Sequence, residues 1–174
     1  NVLVVGGHDN IDVIYGPLSG SPVHEVIGTS YPGNRVDVAF GSIDPSGAGS
    51  GIAALNSNSG RIELYYVKGS PSIGDCYDSS YSASLLTPGF TPTSIAVGDF
   101  DGNGRDDVAV TTTSAQIKIF SNTGAGFTAS SLPTASITLP GAAAQVRSGD
   151  LNDDGKDDLA VRYSSIAEIG IWLS

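Results

Sequence analysis

Two stretches of the sequence repeat each other: SIAVGDFDGNGRDDVAVTTTSAQIKIFSN at residues 94–122 and QVRSGDLNDDGKDDLAVRYSSIAEIGIWLS at residues 145–174. Their equivalent glycines, Gly98 and Gly149, are 51 residues apart. Each stretch has an apolar run that ends in glycine, an acidic turn, a second apolar run, a short polar link and a third apolar run. Internal repetition on this scale indicates a fold built from repeated units.

The apolar runs predict an all-β protein. Each run is short, rich in Val and Ile, and bounded by Gly, Asn, Asp, Ser or Pro, as at residues 36–40 and 62–67. This pattern is typical of strands, and the spacing of an amphipathic helix is missing. Repeats of about 40–60 residues with three or four strands each are typical of β-propeller blades. A sandwich of unrelated hairpins is the alternative, and the near-identity of the two acidic segments argues against it.

We therefore expect one β-propeller-like domain over residues 1–174, with three clear repeats and a weaker N-terminal unit. Gly41 and Gly6 take the place of Gly98 in the upstream copies. A blade cannot bury both of its faces alone, so neighbouring blades must stack. The terminal units are expected to lack a fourth strand, which leaves bare edges. The chain is then a partial propeller, completed by a longer parent chain or by other copies of itself. The expected units are residues 1–34, 35–93, 94–144 and 145–174.

The two acidic turns predict metal sites. They hold nine of the 18 acids, and oxygen-bearing side chains recur at positions 1, 3, 5 and 9 of each turn. A backbone carbonyl at position 7 would complete a ring of oxygen ligands, which suits Ca²⁺ better than Mg²⁺ or a transition metal. Gly104 and Gly155 allow the sharp turn, because glycine tolerates positive φ. The predicted ligand sets are Asp99, Asp101, Asn103, the carbonyl of Arg105 and Asp107, and then Asp150, Asn152, Asp154, the carbonyl of Lys156 and Asp158.

An EF-hand is the main competing interpretation of these turns. It requires Glu at the twelfth position, where this sequence has Val110 and Val161, and helical flanks where this sequence has strand patterns. Two solvated acidic hairpins without an ion are the other alternative. The upstream copies keep only part of the ligand pattern, so no tight site is expected there: Ser42, Asp44 and Ser46 remain in one copy, and Asp9 and Asp12 in the other.

The segments AVGDFDGNGRDDVAV and RSGDLNDDGKDDLAV resemble the FG-GAP repeats of integrin α-subunit propellers and of related bacterial and fungal repeat proteins. The match is strong for about 60 residues, moderate for residues 36–67 and weak upstream of them. The aromatic–glycine pair of the family is absent, and Gly89-Phe90 precedes the first strong repeat in inverted order. The resemblance implies a β-propeller with two Ca²⁺ ions in its blade loops, held by the ligand sets given above.

These observations predict a non-enzymatic module that is extracellular, either secreted or on the cell surface. Its expected role is adhesion, recognition or self-assembly, with Ca²⁺ stiffening the blade loops. Millimolar external calcium suits sites of modest affinity. The expected partner is a protein or glycan on the extracellular side, and bare edge strands favour a homo-oligomer as well.

Two other functions stay open. A carbohydrate-binding propeller would need exposed aromatic platforms, and strand packing is the competing role for each aromatic candidate. An accessory domain of a secreted enzyme is the second alternative, although the usual catalytic motifs are missing and His8 beside Asp9 fits a solvated turn better than a catalytic base. The aromatic candidates are Tyr65, Tyr66, Tyr77, Tyr81, Tyr163 and Trp172.

Charge and composition exclude some partners. A net charge of −10 opposes binding to a phosphate backbone, so no nucleic-acid partner is expected. No apolar run approaches the ~20 residues of a membrane span. The single cysteine, Cys76, excludes an internal disulfide and a cysteine-based zinc site. An inert thiol is its expected state, with an intermolecular disulfide as the alternative.

Overall fold

A computed structural model describes residues 2–6, 10–15, 23–28, 33, 35–44, 49–72, 75–85, 89–128 and 130–174. The described residues form fourteen strands and no helix, which confirms the all-β prediction. The strands are β1 (Val2–Gly6), β2 (Asn10–Tyr15), β3 (Val23–Gly28), β4 (Arg35–Gly41), β5 (Gly51–Asn56), β6 (Arg61–Ser72), β7 (Asp75–Leu85), β8 (Pro92–Gly98), β9 (Asp107–Thr112), β10 (Gln116–Phe120), β11 (Ala135–Thr138), β12 (Ala143–Gly149), β13 (Asp158–Tyr163) and β14 (Ile169–Trp172).

The strands form four antiparallel sheets, which we name blades 1 to 4 in chain order. Blade 1 is β1-β2-β3, blade 2 is β4-β5-β6-β7, blade 3 is β8-β9-β10-β11 and blade 4 is β12-β13-β14. Among the described strands the two terminal blades have three each, as the sequence predicted. Strand β7 occupies the polar stretch before the first strong repeat and contains Cys76, whose side chain lies outside the described part of the structure.

Three apolar cores lie between successive blades, because each central strand sends alternate side chains to opposite neighbours. Between blades 1 and 2 the core includes Ile11 and Ile52. Between blades 2 and 3 it includes Leu64 and Val108, and between blades 3 and 4 Ile117 and Leu159. The first strands of the four blades are neighbours, so the sheets stack side by side around a common centre.

Ser94 links the first strands of three blades by hydrogen bonds. Its buried hydroxyl donates to Asp37 Oδ2 of blade 2 and accepts from the Val146 N–H of blade 4 at 3.1 Å. The same Asp37 oxygen also accepts the N–H of Ile95 at 3.1 Å. A single hydroxyl therefore holds the spacing of blades 2, 3 and 4 near the centre.

Replacing this hydroxyl tests the arrangement. Ser94→Ala removes both bonds and leaves the buried Val146 N–H without an acceptor, so we expect a loss of about 2–4 kcal/mol in the free energy of unfolding. Chemical denaturation measures this loss. The control is Ser136→Ala, which removes an exposed hydroxyl that only accepts from Lys118 Nζ within the same blade. Equal stabilities for the two variants would contradict the bridging role.

Candidate metal centre

The two acidic turns, residues 99–107 and 150–158, connect the first and second strands of blades 3 and 4. In the first turn, Asp99 accepts the N–H of Asn103 at 3.0 Å and of Gly104 at 2.7 Å. Asp101 accepts the same Asn103 N–H at 3.1 Å, and the side-chain Oδ1 of Asn103 accepts the Arg105 N–H at 2.9 Å. Three predicted ligands thus fold the turn onto its own backbone amides.

The second turn repeats this network at equivalent positions. Asp150 accepts the N–H groups of Asp154 at 3.2 Å and Gly155 at 2.9 Å. Asn152 accepts from Asp154 at 3.0 Å, and Asp154 accepts from Lys156 at 2.9 Å. The amide of Lys156 and the side chain of Asn152 hold the pKa of Asp154 below its usual value. The two turns therefore share one conformation, as their sequences predicted.

Backbone dihedral angles show the same equivalence. The fourth and sixth residues of each turn have positive φ: +76° and +79° at Gly102 and Gly104, and +60° and +88° at Asp153 and Gly155. Asp153 is one of only two non-glycine residues with positive φ in the described chain. Aspartate tolerates this region better than most residues, because its short side chain can bond locally.

The closing aspartate differs between the two turns. Asp107 is 0% exposed, its Oδ1 accepts the Asn122 N–H at 2.7 Å, and its buried Oδ2 has no hydrogen-bond partner. Burial raises the pKa of Asp107 to about 6, and the charges of Asp101 and Asp99 add to this effect, whereas the backbone N–H groups of Asn122 and Phe100 act against it. Asp158 is better satisfied, because Oδ2 accepts from Leu151 at 3.1 Å and Oδ1 from the Ser174 N–H at 2.8 Å. The first turn therefore keeps one buried carboxylate oxygen free for another ligand.

The predicted ligands of each turn lie in the same loop, yet they do not converge. Within the described ranges, no three side chains of His, Cys, Asp or Glu are grouped to hold a metal ion. The reason is visible in the hydrogen bonds, since the carboxylates of Asp99 and Asp150 are turned onto backbone N–H groups. The donor set is all oxygen and includes the unpaired Asp107 Oδ2, so its chemistry fits a hard cation.

The side chains at position 7 of the two turns lie against neighbouring loops. Arg105 and Lys156 are half-buried. A Cβ on Gly102 would lie 3.2 Å from Lys156 Cε, so this lysine of blade 4 lies across the first acidic turn. A Cβ on Gly124 would lie 3.3 Å from the Arg105 guanidinium carbon. The long side chains pack against glycines of neighbouring loops.

The upstream turns do not repeat the network within the described residues. Ser42 and Asp44 are placed, and the Asp44 N–H donates to the Gly49 carbonyl at 3.3 Å. Asp12 lies inside β2, where His24 Nε2 is 2.7 Å from its Oδ1. Ser46, His8 and Asp9 lie outside the described residues, so the expectations for them stay predictions.

Sequence reasoning missed the role of position 8. Asp157 accepts the Asp99 N–H at 3.0 Å through Oδ2 and donates its own N–H to the Asp99 carbonyl at 2.9 Å. Asp106 makes the same pair of contacts with Ser42, at 2.6 and 3.4 Å. Each of these aspartates therefore fastens its blade to the loop of the preceding blade. The sequence signal for this role is the Asp-Asp pair at positions 8 and 9 of each turn. The predicted ligand set uses only the aspartate at position 9.

Most aromatic candidates for a glycan platform are structural. Tyr65, Tyr66 and Tyr163 are buried, and the Tyr65 hydroxyl donates to Glu63 Oε2 at 2.7 Å. Tyr163 packs edge-on against Trp172, with ring centroids 6.3 Å apart. The side chains of the two other candidates, Tyr77 and Tyr81 in β7, lie outside the described part of the structure.

The described residues contain no helix long and apolar enough to cross a membrane.

The buried charge of Asp107 gives a pH-dependent prediction. In the calcium-free protein, a folded-state pKa of about 6 means that protonated Asp107 contributes to the stability of the fold. This contribution is complete below pH ~4 and is lost as the pH rises through about 6. We therefore expect Asp107→Asn to raise the melting temperature at pH 7 in EGTA. The gain over the parent chain should shrink as the pH falls towards 4.

The matched control is Asp158→Asn, because both Asp158 oxygens already accept N–H groups. This variant is expected to melt at or below the temperature of the parent chain. An Asp107→Asn variant that is destabilised as much as Asp158→Asn at pH 7 would contradict the account of an unpaired buried carboxylate.

Residues 99–161 match the family model of the FG-GAP-like repeat, a span that contains both acidic turns. A crystal structure of BBS1N in complex with ARL6DN, soaked with mercury, is similar to the chain, with a TM-score of 0.54 and 14% sequence identity. The similarity covers 98% of this chain and 50% of that one. A lead-soaked crystal of the same complex gives 0.53 and 14%, over 92% and 45%. No curated protein matches the chain by sequence.

The chain thus spans about half the length of these structures. At this level of identity the similarity concerns the fold alone, and it agrees with the stacked sheets described above. The four sheets are blades of a β-propeller-like fold, and residues 99–161 carry an FG-GAP-like repeat.

Proposed function

We propose that this repeat module is non-enzymatic and binds two Ca²⁺ ions, one in each of the turns 99–107 and 150–158. The observation that carries the proposal is the buried Asp107 Oδ2, an unpaired carboxylate oxygen at the closing position of a turn rich in oxygen donors. An unpaired buried anion is costly, and a bound cation would remove that cost. The second turn supports the proposal by repeating the same donors in the same backbone conformation.

Calcium would supply positive charge and a flexible ring of coordination positions at each turn. The chain would supply Asp99, Asp101, Asn103, the Arg105 carbonyl and Asp107 in the first turn. In the second, the equivalent residues are Asp150, Asn152, Asp154, the Lys156 carbonyl and Asp158. The side chains of each set must come closer together to surround an ion, and a carboxylate can do so while it still accepts its local N–H groups, since it has about four lone-pair sites.

The consequence of binding would extend beyond the turn. Asp106 and Asp157, which fasten adjacent blades, immediately precede the closing ligands Asp107 and Asp158. The backbone of Asp99, whose side chain is a ligand of the first proposed site, is also hydrogen-bonded to Asp157, which precedes the second strand of blade 4. An ion that fixes these backbones would stiffen the contacts between blades 2, 3 and 4. Calcium is therefore proposed to stabilise the packing of blades 2, 3 and 4 against one another.

The proposed setting is outside the cell, in adhesion, recognition or assembly with a protein or glycan partner. The supporting argument is calcium supply, because millimolar external calcium suits sites of modest affinity. The packed state of Tyr65, Tyr66 and Tyr163 gives no support to the glycan-binding alternative. Glu63, a buried acid outside the turns, is bonded to Asn56 and Tyr65 and fits a structural role.

Calorimetric titration with Ca²⁺ tests the proposal. We expect two ions per chain and a melting temperature that rises with calcium, since a ligand that binds only the folded state stabilises it. Asp107→Asn and Asp158→Asn should each reduce the stoichiometry to one, because each removes the closing ligand of one turn.

The control is Asp153→Asn, which changes an acid of the second turn outside the ligand set and keeps a residue that tolerates positive φ. This variant should still bind two ions. An unchanged melting temperature in millimolar Ca²⁺, or two ions bound by Asp107→Asn, would overturn the proposal.

A further inference from the structure

Positions 3 and 5 of both acidic turns make the same local hydrogen bond. At each position a side-chain oxygen accepts the N–H two residues ahead, over distances of 2.9 to 3.1 Å. The four acceptors are Asp101, Asn103, Asn152 and Asp154. Such a bond closes a small ring that contains the side-chain carbonyl carbon and the nitrogen of the next residue. All four positions therefore hold these two atoms near each other.

Residue type distinguishes Asn103 from the other three positions. An amide carbon can be attacked with loss of ammonia, whereas a carboxylate resists attack because it carries negative charge and has no comparable leaving group. Asn152 is also an amide, but Asp153 follows it, while Gly104 follows Asn103. Glycine has no Cβ to obstruct its own nitrogen. No other asparagine in the sequence precedes a glycine.

The hydrogen bonds around Asn103 suit an attack by the Gly104 nitrogen on the side-chain carbonyl carbon. Asn103 Oδ1 accepts the Arg105 N–H at 2.9 Å, and this donor stabilises negative charge that develops on the oxygen. The Gly104 nitrogen lies 2.7 Å from Asp99 Oδ2, which accepts its N–H and can take the proton. This bond lies in the peptide plane, so the face of the nitrogen stays open. The carbonyl thus has a donor, and the nitrogen has a proton acceptor.

Water can reach this peptide bond, and the amide nitrogen of the side chain is weakly held. Asn103 and Gly104 are both exposed. Among the described residues, a Cβ on Gly104 would meet nothing within 4 Å, so the space beside the nucleophile is open. Asn103 Nδ2 donates to the Asn122 carbonyl at 3.3 Å, which is longer than an ordinary N–H···O bond. The leaving group therefore loses little when it departs.

We propose that Asn103 is a site of spontaneous modification in the folded protein, at which the Gly104 nitrogen displaces ammonia from the side-chain amide. A bond forms between Gly104 N and Asn103 Cγ, and the Gly104 proton passes through Asp99 to water. The Cγ–Nδ2 bond breaks as Nδ2 takes up a proton from water and leaves as ammonia. Water then hydrolyses the succinimide ring at either carbonyl, which gives aspartate or isoaspartate at position 103. The reaction needs neither an enzyme nor bound calcium.

The two products would affect the first turn differently. Aspartate at position 103 gives this turn the residue that the second turn has at Asp154. Isoaspartate instead adds a methylene group to the backbone before Gly104 and shifts the following amides away from their acceptors. Asp99 accepts the N–H groups of both Asn103 and Gly104, so the isoaspartyl form is expected to lose part of the turn network. The modification would thus change the first turn as the protein ages, while the second turn stays as it is.

Peptide mapping by tandem mass spectrometry tests the proposal on the full chain. The folded protein is incubated with EGTA at physiological temperature, at mildly acidic and at mildly alkaline pH. We expect Asn103 to convert to aspartate and isoaspartate at least about tenfold faster than Asn152, which corresponds to a barrier lower by about 1.4 kcal/mol. The rate should rise with pH, because the nitrogen attacks as it loses its proton. An Asn103 that stays intact in the folded chain, while it reacts in the same chain unfolded in urea, would overturn the proposal.

Asp154→Asn reproduces the arrangement in the second turn. Gly155 follows this position, and its N–H donates to Asp150 Oδ2 at 2.9 Å, as that of Gly104 does to Asp99. The side chain of residue 154 already accepts the Lys156 N–H at 2.9 Å. We therefore expect the introduced asparagine to react at a rate similar to that of the native site in the same chain. An introduced asparagine that stays intact while the native site reacts would overturn the role of the turn geometry.

The matched control is Asp154→Gln, which removes the same charge and also introduces an amide. The added methylene group places the amide carbon one bond farther from the Gly155 nitrogen, so the same attack would have to close a larger ring. This glutamine should stay intact under conditions in which the asparagine of the first variant reacts. Equal rates in the two variants would show hydrolysis of the amide by water and would overturn the proposed attack by the backbone nitrogen.

Discussion

The carboxylate that reaches from one blade to the loop of the preceding blade is the contact on which the rest of the structure depends. Asp157 and Asp99 exchange two hydrogen bonds, one through the side chain and one through the backbone. The contact needs glycine at position 98, because any Cβ there would collide with the carboxylate. With the loops held at this distance, Phe100 enters the core beside Leu159. The polar contact and the apolar core therefore require each other.

This contact also joins the two acidic turns into one connected system. Asp106 and Asp107 are adjacent, so their side chains point in opposite directions at the start of β9. One side chain fastens the neighbouring blade, and the other closes its own turn. The same division holds for Asp157 and Asp158. A change in the backbone of either turn therefore also affects the contact between blades, and the cation proposed for these turns would act on that contact.

The sequence predicted the parts that repetition makes visible. Strand composition and the 51-residue spacing of Gly98 and Gly149 were enough for an all-β propeller-like stack with incomplete terminal blades. The equivalence of the two turns followed from their residue order. The role of position 8 could not be found in this way, because an aspartate directed to another blade looks the same in sequence as one directed into its own turn. Lys156 illustrates the same limit, since the glycine against which it packs belongs to the preceding blade.

The outer faces of blades 1 and 4 differ in the side chains that they expose. Terminal repeats that serve as caps present a polar outer face. The outer face of blade 1 is mixed, because Asp12 is bonded to His24 there and Val26, the cross-strand partner of Asp12, is 54% exposed. The outer face of blade 4 has Leu151, Ile169 and Ile171 exposed beside an unobstructed Gly149. Exposed isoleucine side chains on a sheet face do not increase the solubility of a protein. A glycine that has no close neighbour does not stabilise its strand. Blade 4 therefore keeps the residue pattern of blades 2 and 3, in which the equivalent side chains Ile43, Phe100 and Ile117 are buried between blades.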